Sequence, residues 1–352
     1  MRGLPALRRI GGADTEPIGQ RHCAPCDKPY RYRNKAVIPF SVIKGEPVFG
    51  FYARHSHETV SFRDCLLCPE EFSEIALFTR DYLKRNKIPA YDEKNDKGVL
   101  KRILLKKSFS ANETLFCAVI NDNGAEELTD FFSALRQRGG VDVFAVNYSP
   151  KPTNVCLSKH TRVLSERSYI TESVCGLTVR IGVNTFFQVN APQAERLFLK
   201  AAEFARGQRN GLCVDLFCGA GALTMLLAKT FKKVIGVEIS PESIQDARDD
   251  AKLNGIDGVS FICADANAFL SENDAPDCVI TDPPRKGLGE QLTDTLKKSR
   301  IEKIVYISCE PATLARDIAR LSPAYKLSDC AMFDCFAQTQ HVECVCLLER
   351  RL

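Results

Sequence analysis

The feature that most constrains the fold is the alternation of short β-rich runs with helical stretches in the second half of the chain. The predicted strands are Leu212–Cys218, Lys233–Ile239, Val259–Cys263, Asp277–Thr281 and Lys303–Ser308. The predicted helices are Ala222–Thr230, Pro241–Asn254, Gly289–Lys298 and Ala312–Leu321. This alternation is typical of an α/β protein with a parallel, doubly wound sheet. Two successive strand patterns, Leu327–Phe333 and Val342–Leu348, predict an antiparallel edge.

The first half has a different pattern, in which strands and helices do not alternate regularly. The predicted strands are Ala36–Ser41, Pro47–Ala53, Thr59–Phe62, Leu115–Ile120 and Val141–Tyr148. The predicted helices are Glu71–Arg85 and Glu126–Arg138. We therefore predict an α+β domain over residues 1–180 and a Rossmann-like domain over residues 181–352.

Composition excludes several classes of protein. Of the 352 residues 45% are hydrophobic and 26% are charged, as in an ordinary globular protein. No apolar run reaches the roughly 18 residues of a membrane helix. The first 20 residues contain no apolar core segment of a secretory signal, so we expect a cytoplasmic protein. The 16 cysteines are then expected to be thiols, metal ligands or a nucleophile rather than disulfides.

Charge is distributed unevenly along the chain. Residues 1–180 contain 28 basic and 21 acidic side chains, and the remainder contains 20 basic and 23 acidic ones. A basic first half beside an acidic second half is consistent either with binding to a polyanion or with a solvated surface of mixed charge.

A glycine-containing loop, Asp215–Gly221, ends a predicted strand and begins a helix. Gly219 and Gly221 allow the backbone to approach a ligand closely, but position 224 holds Thr224 where a dinucleotide site needs a third glycine. Glu238 ends the next strand, where it can accept hydrogen bonds from ribose hydroxyls, and Asp265 follows the third strand. A nucleoside ligand without a pyrophosphate fits this set, and we predict S-adenosylmethionine.

Three further residues are predicted at the same edge of the sheet. Asp282 lies in the stiff segment Thr281–Gly287, where two prolines follow a strand. Cys309 lies between a strand and a helix, where the helix dipole is expected to stabilise its thiolate. Glu343 begins the last strand and is a candidate general base.

Taken together, these motifs resemble the RNA uracil-5 methyltransferases, which make 5-methyluridine in 23S rRNA or tRNA. The segments that carry the resemblance are Tyr32–Ala36, Phe186–Asn190, Asp215–Gly221, Val237–Glu238, Thr281–Gly287, Ser308–Pro311 and His341–Glu343. The resemblance implies that S-adenosylmethionine is the methyl donor and RNA the substrate, with 23S rRNA favoured over tRNA. It also implies roles for six side chains. Gln188, Phe217, Glu238 and Asp282 would contact the cofactor or hold the target site, Cys309 would be the nucleophile, and Glu343 the base.

The sequence departs from the family pattern in its N-terminal part. Many members begin with a small RNA-binding β-barrel, whereas this sequence begins near the Tyr32–Ala36 segment. We therefore expect RNA to bind the basic residues of the first domain, namely Arg31, Arg33, Lys35 and the Lys101–Lys107 cluster.

Two C-x2-C pairs in the first domain raise the question of a metal. Many family members hold a [4Fe–4S] cluster, and Cys65 matches one of the cluster ligands. Cys23 with Cys26 and Cys65 with Cys68 form a tetrathiolate pattern, but the gap between the pairs is long for zinc. Four free thiols are the favoured interpretation, with a zinc ion or an iron–sulfur cluster as the alternative.

Two other functions stay open on the sequence. One is an RNA cytosine-5 methyltransferase, although that class uses a second cysteine in the motif that here reads Asp-Pro-Pro-Arg. The other is a truncated, non-catalytic remnant that only binds RNA.

Overall fold

The computed structural model describes residues 23–351 except 55, 57, 94, 122–127, 150–155, 207–210 and 274. These residues form two compact units. One, here called the central unit, comprises residues 28–172 and 180–184. The other, here called the C-terminal unit, comprises residues 173–179 and 185–351 together with residues 23–27. Among the described residues, no helix is both long and apolar enough to cross a membrane.

The elements up to residue 182 are, in chain order, β1 (Cys23–Ala24), β2 (Lys35–Ile43), β3 (Glu46–Tyr52), β4 (Thr59–Ser61), α1 (Glu70–Arg85), β5 (Leu100–Lys107), β6 (Thr114–Ile120), α2 (Thr129–Arg138), β7 (Val143–Tyr148), β8 (Thr161–Val163), β9 (Tyr169–Val174) and β10 (Leu177–Gly182). The later elements are α3 (Ala191–Ala205), β11 (Leu212–Leu216), α4 (Ala222–Leu227), β12 (Lys233–Glu238), α5 (Pro241–Leu253), β13 (Val259–Cys263), α6 (Ala266–Glu272), β14 (Cys278–Thr281), α7 (Gly289–Lys298), β15 (Lys303–Ser308), α8 (Pro311–Leu321), β16 (Tyr325–Phe333) and β17 (Glu343–Arg350).

The C-terminal unit is built on a sheet with the strand order β1-β16-β17-β15-β14-β11-β12-β13. Strands β11 to β15 pair in parallel, and β17 pairs antiparallel with both β15 and β16. The predicted doubly wound α/β sheet with an antiparallel edge is therefore confirmed. The parallel part of the sheet begins with β11 in the middle and continues outward through β12 to β13. The chain then crosses back, so that β14 pairs with the other edge of β11. Ligands of such sheets bind where the strand order reverses, outside the carboxyl ends of the strands.

Side chains of the parallel strands alternate between two hydrophobic layers, because both faces of the sheet are covered by helices. Leu216, Ile304 and Tyr306 face one layer, together with Leu314 of α8. Ile280 and Ile307 face the other layer, which α3 and α4 cover. This burial on both faces fixes the positions at which each strand ends, and therefore the positions of the loops that follow.

Residues 23–24 were predicted in the first domain, but the structure places them in the C-terminal sheet. Cys23 and Ala24 pair in parallel with Met332 and Phe333 at the end of β16. The main-chain N–H of Asp334 donates to the carbonyl of Ala24 at 3.1 Å, which extends this pairing.

The central unit contains a sheet with the order β4-β3-β2-β5-β6-β7-β8, in which only β6 and β7 pair in parallel among the described strands. Helices α1 and α2 pack on it through Phe72, Ile75, Phe131 and Leu135. This mixture of antiparallel strands and helices confirms the α+β prediction.

The Lys101–Lys107 cluster, which we expected to bind RNA, does not present its lysines at the surface. The segment is the central strand β5, and Lys101, Lys106 and Lys107 are buried. Their ammonium groups have internal partners. Lys101 and Lys106 each donate to a carbonyl at 2.6 Å, and Lys107 lies 3.5 Å from a carboxylate oxygen of Glu71. Long aliphatic stems allow such lysines to occupy a sheet while the charged end finds a polar partner.

Candidate active site

The predicted catalytic residues meet at one edge of the C-terminal sheet. Because β17 runs antiparallel to β15, Ser308 at the end of β15 pairs with Cys344 near the start of β17. Cys309 and Glu343 are the next residues outward on the two strands. Asp282 follows β14, the parallel neighbour of β15. Three non-adjacent parts of the sequence therefore place a thiol and two carboxyl groups side by side.

Glu343 is a buried carboxylic acid with an unpaired oxygen. The residue is only 3% exposed, and its Oε2 has no hydrogen-bond partner among the described residues. Burial, and secondly the nearby Asp282, raise the pKa of Glu343 to about 8. Burial also raises the pKa of the Asp282 carboxyl, with a further contribution from Asp215. A buried carboxylate without a partner is poorly solvated, so it accepts a proton more readily than a surface glutamate does.

Cys309 is half-buried between β15 and α8, as the sequence predicts, but its electrostatic environment differs from the expectation. Burial, and then the negative charge of Glu343, raise the pKa of the Cys309 thiol. Desolvation and a neighbouring carboxylate both disfavour a second negative charge, and this opposes the stabilisation of the thiolate that we expected from the helix dipole.

Arg285 is a site residue that the sequence reasoning did not single out. Its guanidinium lies close enough to Cys309 and Glu343 to lower the pKa of both groups. The main-chain carbonyl of Arg285 accepts a hydrogen bond of 3.1 Å from Thr313 Oγ1 in the first turn of α8. The signal in the sequence was its place in the Asp-Pro-Pro-Arg motif, directly after Asp282.

A buried network fixes the loop that carries Asp282 and Arg285. The carboxylate of Asp317 in α8 accepts from the main-chain N–H of Leu288 at 2.8 Å and from the hydroxyl of Tyr306 at 2.9 Å. Gly287 has a φ of +78°, and a Cβ there would stand 2.2 Å from Asp317 Oδ2. Strand β15, helix α8 and the loop are therefore tied together through one side chain.

The glycine loop has the open geometry expected of a ligand site. Gly219 has a φ of +53°, and a Cβ there would meet no atom within 4 Å. Gly221 is required for a different reason, because a Cβ there would stand 2.6 Å from the Phe261 ring and 2.9 Å from Ala247 Cβ. Phe217, half-buried, also has a positive φ of 63°.

Glu238 lies beside this loop at the end of β12. Its Oε2 accepts from the main-chain N–H of Gly219 at 3.3 Å, and its Oε1 accepts from those of Ile239 and Ser240 at 2.8 and 3.0 Å. Below the loop, burial raises the pKa of Asp215 to about 7, and Thr224 Oγ1 donates to that carboxyl at 2.6 Å. The hydroxyl at position 224, where a dinucleotide site needs glycine, thus supports the loop from inside.

Two other predicted cofactor residues lie in loops of the same unit. Asp265 is exposed and caps α6, because its Oδ1 accepts from the main-chain N–H groups of Asn267 and Ala268 at 2.9 and 3.0 Å. Gln188 is half-buried and lies just before α3, whose N-cap is Asn190.

The three basic residues predicted to bind RNA belong to the central unit. Arg31 is engaged internally, since its guanidinium lies 2.6 and 2.8 Å from the two carboxylate oxygens of Asp64. Burial lowers the pKa of Lys35. The backbone N–H of Arg33 donates to the Leu67 carbonyl at 2.9 Å, and its side chain is half-buried.

The cysteines of the tetrathiolate pattern are divided between the two units. Cys65 and Cys68 belong to the central unit, whereas Cys26 and the backbone of Cys23 belong to the C-terminal unit. Within the described ranges, no three His, Cys, Asp or Glu side chains are placed to hold a metal ion.

Comparisons with known proteins show which family the chain belongs to. The family model for tRNA (uracil-5-)-methyltransferases matches residues 151–275 and 272–351. A protein of Clostridium tetani described as an uncharacterized RNA methyltransferase is 34% identical over 97% of this chain and 75% of its own length. A second such protein, from Clostridium acetobutylicum, is 32% identical over 99% of this chain and 77% of its own length.

One solved structure is similar over nearly the whole chain. It is the Pyrococcus abyssi tRNA (uracil-54, C5)-methyltransferase in complex with S-adenosyl-L-homocysteine. The two structures have a TM-score of 0.81 and 26% sequence identity, over 98% of this chain and 81% of that one. The family match, the relatives and the fold together lead to one conclusion: this chain belongs to the tRNA (uracil-5-)-methyltransferase family and is an S-adenosylmethionine-dependent RNA (uracil-5-)-methyltransferase.

Proposed function

We propose that this enzyme methylates C5 of a uridine in RNA through a transient covalent bond between Cys309 Sγ and C6 of the uracil ring. The observation that carries the proposal is the position of Cys309, directly after β15, close to Glu343 at the start of the paired strand β17, with Asp282 directly after the adjacent strand β14. A thiol that can add to a ring and a carboxylate that can remove a proton are the two groups this reaction needs.

The loops of the C-terminal unit fit S-adenosylmethionine. When bound, this cofactor supplies a methyl group on a positively charged sulfur, which makes the methyl carbon an electrophile. The open space at Gly219 gives room for a ligand against the backbone, and the Glu238 carboxylate beside it can accept from ribose hydroxyls. We assign Gln188, Phe217, Gly221, Asp265 and Asp282 to the same binding site, since all of them lie in the C-terminal unit.

The first chemical step that we propose belongs to Cys309. Uracil C5 is too weak a nucleophile to take a methyl group directly. When the Cys309 thiolate adds to C6, a C6–S bond forms and the electrons of the C5=C6 double bond move toward the O4 carbonyl. The resulting enolate makes C5 nucleophilic, so that C5 would form a bond to the methyl carbon while the bond between that carbon and the cofactor sulfur breaks. The sulfur would keep the electron pair of that bond, and S-adenosylhomocysteine would be released.

The second proposed step belongs to Glu343, which removes the remaining proton from C5. The electrons of the C5–H bond re-form the C5=C6 double bond, the C6–S bond breaks, and Cys309 leaves as a thiolate. Glu343 suits this role because its raised pKa makes it a stronger base than a surface glutamate, and because its Oε2 has no partner among the described residues. The Arg285 guanidinium favours the anionic forms of both groups.

We further propose that the substrate is an unpaired uridine of a structured RNA. The base must leave its stack before C6 can reach a sulfur atom at the edge of a protein sheet. The similar archaeal enzyme acts, by its name, on uracil 54 of tRNA, so tRNA has to be tested beside 23S rRNA. The basic first half of the chain is the part that we assign to the RNA backbone.

The test uses cofactor labelled in its methyl group, transcripts of 23S rRNA and of tRNA, and chromatography of the digested nucleosides. We expect labelled 5-methyluridine in one of the two RNA classes and none with Cys309→Ala. Labelled 5-methylcytidine would support the cytosine-5 alternative instead. A folded protein that binds S-adenosylhomocysteine but gives no product with either RNA would support the non-catalytic alternative.

A further inference from the structure

The Asp-Pro-Pro-Arg loop, here defined as residues 282–288, contains no helix or strand of its own. Its beginning is fixed, because the main-chain N–H of Asp282 donates to the Leu216 carbonyl at 3.4 Å and the two prolines that follow are stiff. Its tip is exposed at Arg285 and Lys286. An exposed segment without ladder hydrogen bonds has many accessible conformations, so the second half of the loop needs contacts from elsewhere to keep one shape.

Two side chains of helix α8 bind carbonyl groups at the tip of this loop. Thr313 Oγ1 donates to the carbonyl of Arg285 at 3.1 Å, and Arg316 Nη2 donates to the carbonyl of Lys286 at 2.7 Å. Thr313 Oγ1 also lies 3.1 Å from the carbonyl of Glu310, so its single proton is shared between the helix and the loop. Thr313 and Arg316 lie about one helical turn apart and therefore face the loop from the same side of α8.

Asp317 makes a third contact with the loop from inside the protein. This residue is fully buried, and its Oδ2 accepts from the main-chain N–H of Leu288 at 2.8 Å and from the Tyr306 hydroxyl at 2.9 Å. Its Oδ1 accepts from Arg316 Nε at 2.9 Å, which orients the guanidinium that binds the loop tip. A buried carboxylate is costly unless hydrogen bonds satisfy it, and here the donors come from the loop, from β15 and from α8 itself.

The close approach of the loop to α8 depends on a glycine. Gly287 has a φ of +78°, and a Cβ there would stand 2.2 Å from Asp317 Oδ2 and 2.7 Å from Arg316 Nη2. The side chains that bind the loop therefore occupy the space that a larger residue at this position would need.

The same contacts connect the loop to the segment that carries Cys309. Cys309 lies between β15 and α8, and Glu310 is the N-cap of that helix. Tyr306, which donates to Asp317, lies three residues before Cys309, and Thr313, which donates to the loop, lies four residues after it. The relative position of Cys309 and the second half of the loop is therefore set by side chains of α8.

We propose that Thr313, Arg316 and Asp317 are positioning residues for methyl transfer, which act by fixing Arg285 relative to Cys309. This role rests on the proposed function, in which Cys309 adds to the uracil ring. Reacting groups must be held in one arrangement, and a displacement of about 1 Å can lower a rate about 100-fold. Asp282 is held independently by β11 and the prolines, so the three residues act on the rate of the reaction rather than on the affinity for the cofactor.

The first experiment measures whether α8 holds the loop. Hydrogen–deuterium exchange of the full chain is followed by mass spectrometry of the peptides that contain residues 282–288. We expect these peptides to exchange about tenfold faster in Asp317→Asn, because the Leu288 N–H loses its anionic acceptor and Arg316 loses its anchor. Unchanged exchange of the loop in a folded Asp317→Asn variant would overturn the proposal.

The matched control is Ser322→Ala at the other end of α8. Ser322 Oγ donates only locally in the described fold, to the Ala319 carbonyl at 2.9 Å. This variant should leave both the exchange of the loop and the rate of methyl transfer as they are in the unaltered chain. A Ser322→Ala variant with the same losses as Asp317→Asn would show that any weakening of α8 has this effect, and would contradict a specific role of the three residues.

The second experiment measures methyl transfer to the RNA class that the unaltered chain methylates. Thr313→Val removes the hydroxyl at nearly constant volume and should lower kcat about tenfold, while KM for RNA and Kd for S-adenosylhomocysteine stay within about twofold. Thr313→Ser keeps the hydroxyl and should restore most of the rate. A Thr313→Ser variant as slow as Thr313→Val, or an increase in KM at unchanged kcat, would contradict positioning through this hydrogen bond.

The third experiment tests whether the effect passes through Arg285. Thr313→Val is combined with Arg285→Gln, and kcat of the double variant is compared with that of each single variant. Since both changes remove the same arrangement, we expect the double variant to be no slower than Arg285→Gln alone. Losses that multiply would show that Thr313 acts by another route and would overturn the proposal.

The outcomes separate this inference from the proposed function. If the unaltered chain forms no 5-methyluridine, the proposed function fails and this inference fails with it. If the unaltered chain methylates RNA while folded Thr313→Val and Asp317→Asn variants keep its kcat, only this inference fails.

Discussion

Glu343 combines deep burial with an ionisable group, and this combination has a thermodynamic consequence. A surface-like glutamate in the unfolded chain titrates near pH 4.3, whereas burial raises the pKa of Glu343 to about 8 in the folded chain. Between these two values the folded state holds a proton that the unfolded state has lost. Stability therefore falls as the pH rises through this window.

We predict that Glu343→Gln raises the melting temperature by several degrees at about pH 8 and that the difference disappears near about pH 4. The measurement is thermal unfolding as a function of pH. Glu349→Gln is the control, because Glu349 lies on the same strand but its pKa is lowered by hydrogen bonding to Ser328. The control should lose stability at high pH. A Glu343→Gln variant that is destabilised most at high pH would contradict the account.

Arg285 is predicted to set the pH range of the reaction. Its positive charge lowers the pKa of Cys309 and of Glu343, so Arg285→Gln should move the rising limb of kcat/KM to higher pH. Arg285→Lys keeps the charge and should move the limb less. The measurement is the pH profile of methyl transfer for the three proteins. An unchanged profile with a uniformly lower rate would indicate that Arg285 only shapes the loop.

At the scale of single residues, the sequence predicted which side chains belong to the candidate active site and where they lie along the strands. It did not predict how their surroundings shift their pKa values. Cys309 could be placed at the end of one strand and Glu343 at the start of another, because a hydrophobic run ends just before Cys309 and another begins beside Glu343. The direction of the pKa shift at Cys309 could not be predicted, since it depends first on burial and then on Glu343. Glu343 is 34 positions away in the chain and comes close only after the sheet forms.

Two glycines of the loop between β11 and α4 are expected to respond differently to replacement by alanine. Gly221→Ala places a Cβ against the Phe261 ring and Ala247, so it should lower stability by about 1–3 kcal/mol. Gly219→Ala meets no atom within 4 Å, so its strain at positive φ should cost only about 1 kcal/mol. Its methyl group would instead enter the space that we assign to the cofactor.

The two variants separate packing from binding. We expect Gly221→Ala to have the lower melting temperature without cofactor, and Gly219→Ala to bind S-adenosylhomocysteine more weakly in calorimetry while remaining close to the unaltered chain in stability. Unchanged affinity in a folded Gly219→Ala variant would show that this loop does not hold the cofactor.

The parallel strands could be predicted from the sequence, because strands that are buried on both faces appear as continuous apolar runs. Strand β5 was not, since Lys101, Lys106 and Lys107 interrupt its apolar pattern and only their buried partners explain them. Helices α3 and α6 were also missed.

At the scale of the whole molecule, the central unit is expected to contribute RNA affinity through charge. The guanidinium of Arg31 is bound to Asp64. Arg33, on the same segment, has a half-buried side chain and donates its backbone N–H to the Leu67 carbonyl. We predict that Arg33→Ala weakens RNA binding and lowers the slope of log affinity against log salt by about 0.7–0.9. The measurement is filter binding over a range of salt concentrations.

The control for this prediction is Lys44→Ala, a charge removed from the turn between β2 and β3. It should leave the salt slope unchanged. Equal slopes for Arg33→Ala and the unaltered chain would remove Arg33 from the RNA site. Sequence reasoning could suggest such a surface from net charge alone, but it could not show which arginine holds a turn, as Arg31 does.

The most direct test of the central claim is trapping of the proposed bond between Cys309 and RNA. The RNA class that is methylated is transcribed with 5-fluorouridine, whose C5 fluorine cannot be removed as a proton, so the C6–S bond should persist after methyl transfer. We predict a cofactor-dependent adduct that resists denaturation, mapped to Cys309 by mass spectrometry, and no adduct with a Cys309→Ala variant that still binds S-adenosylhomocysteine. Formation of 5-methyluridine by Cys309→Ala, or an adduct on another residue, would contradict the account.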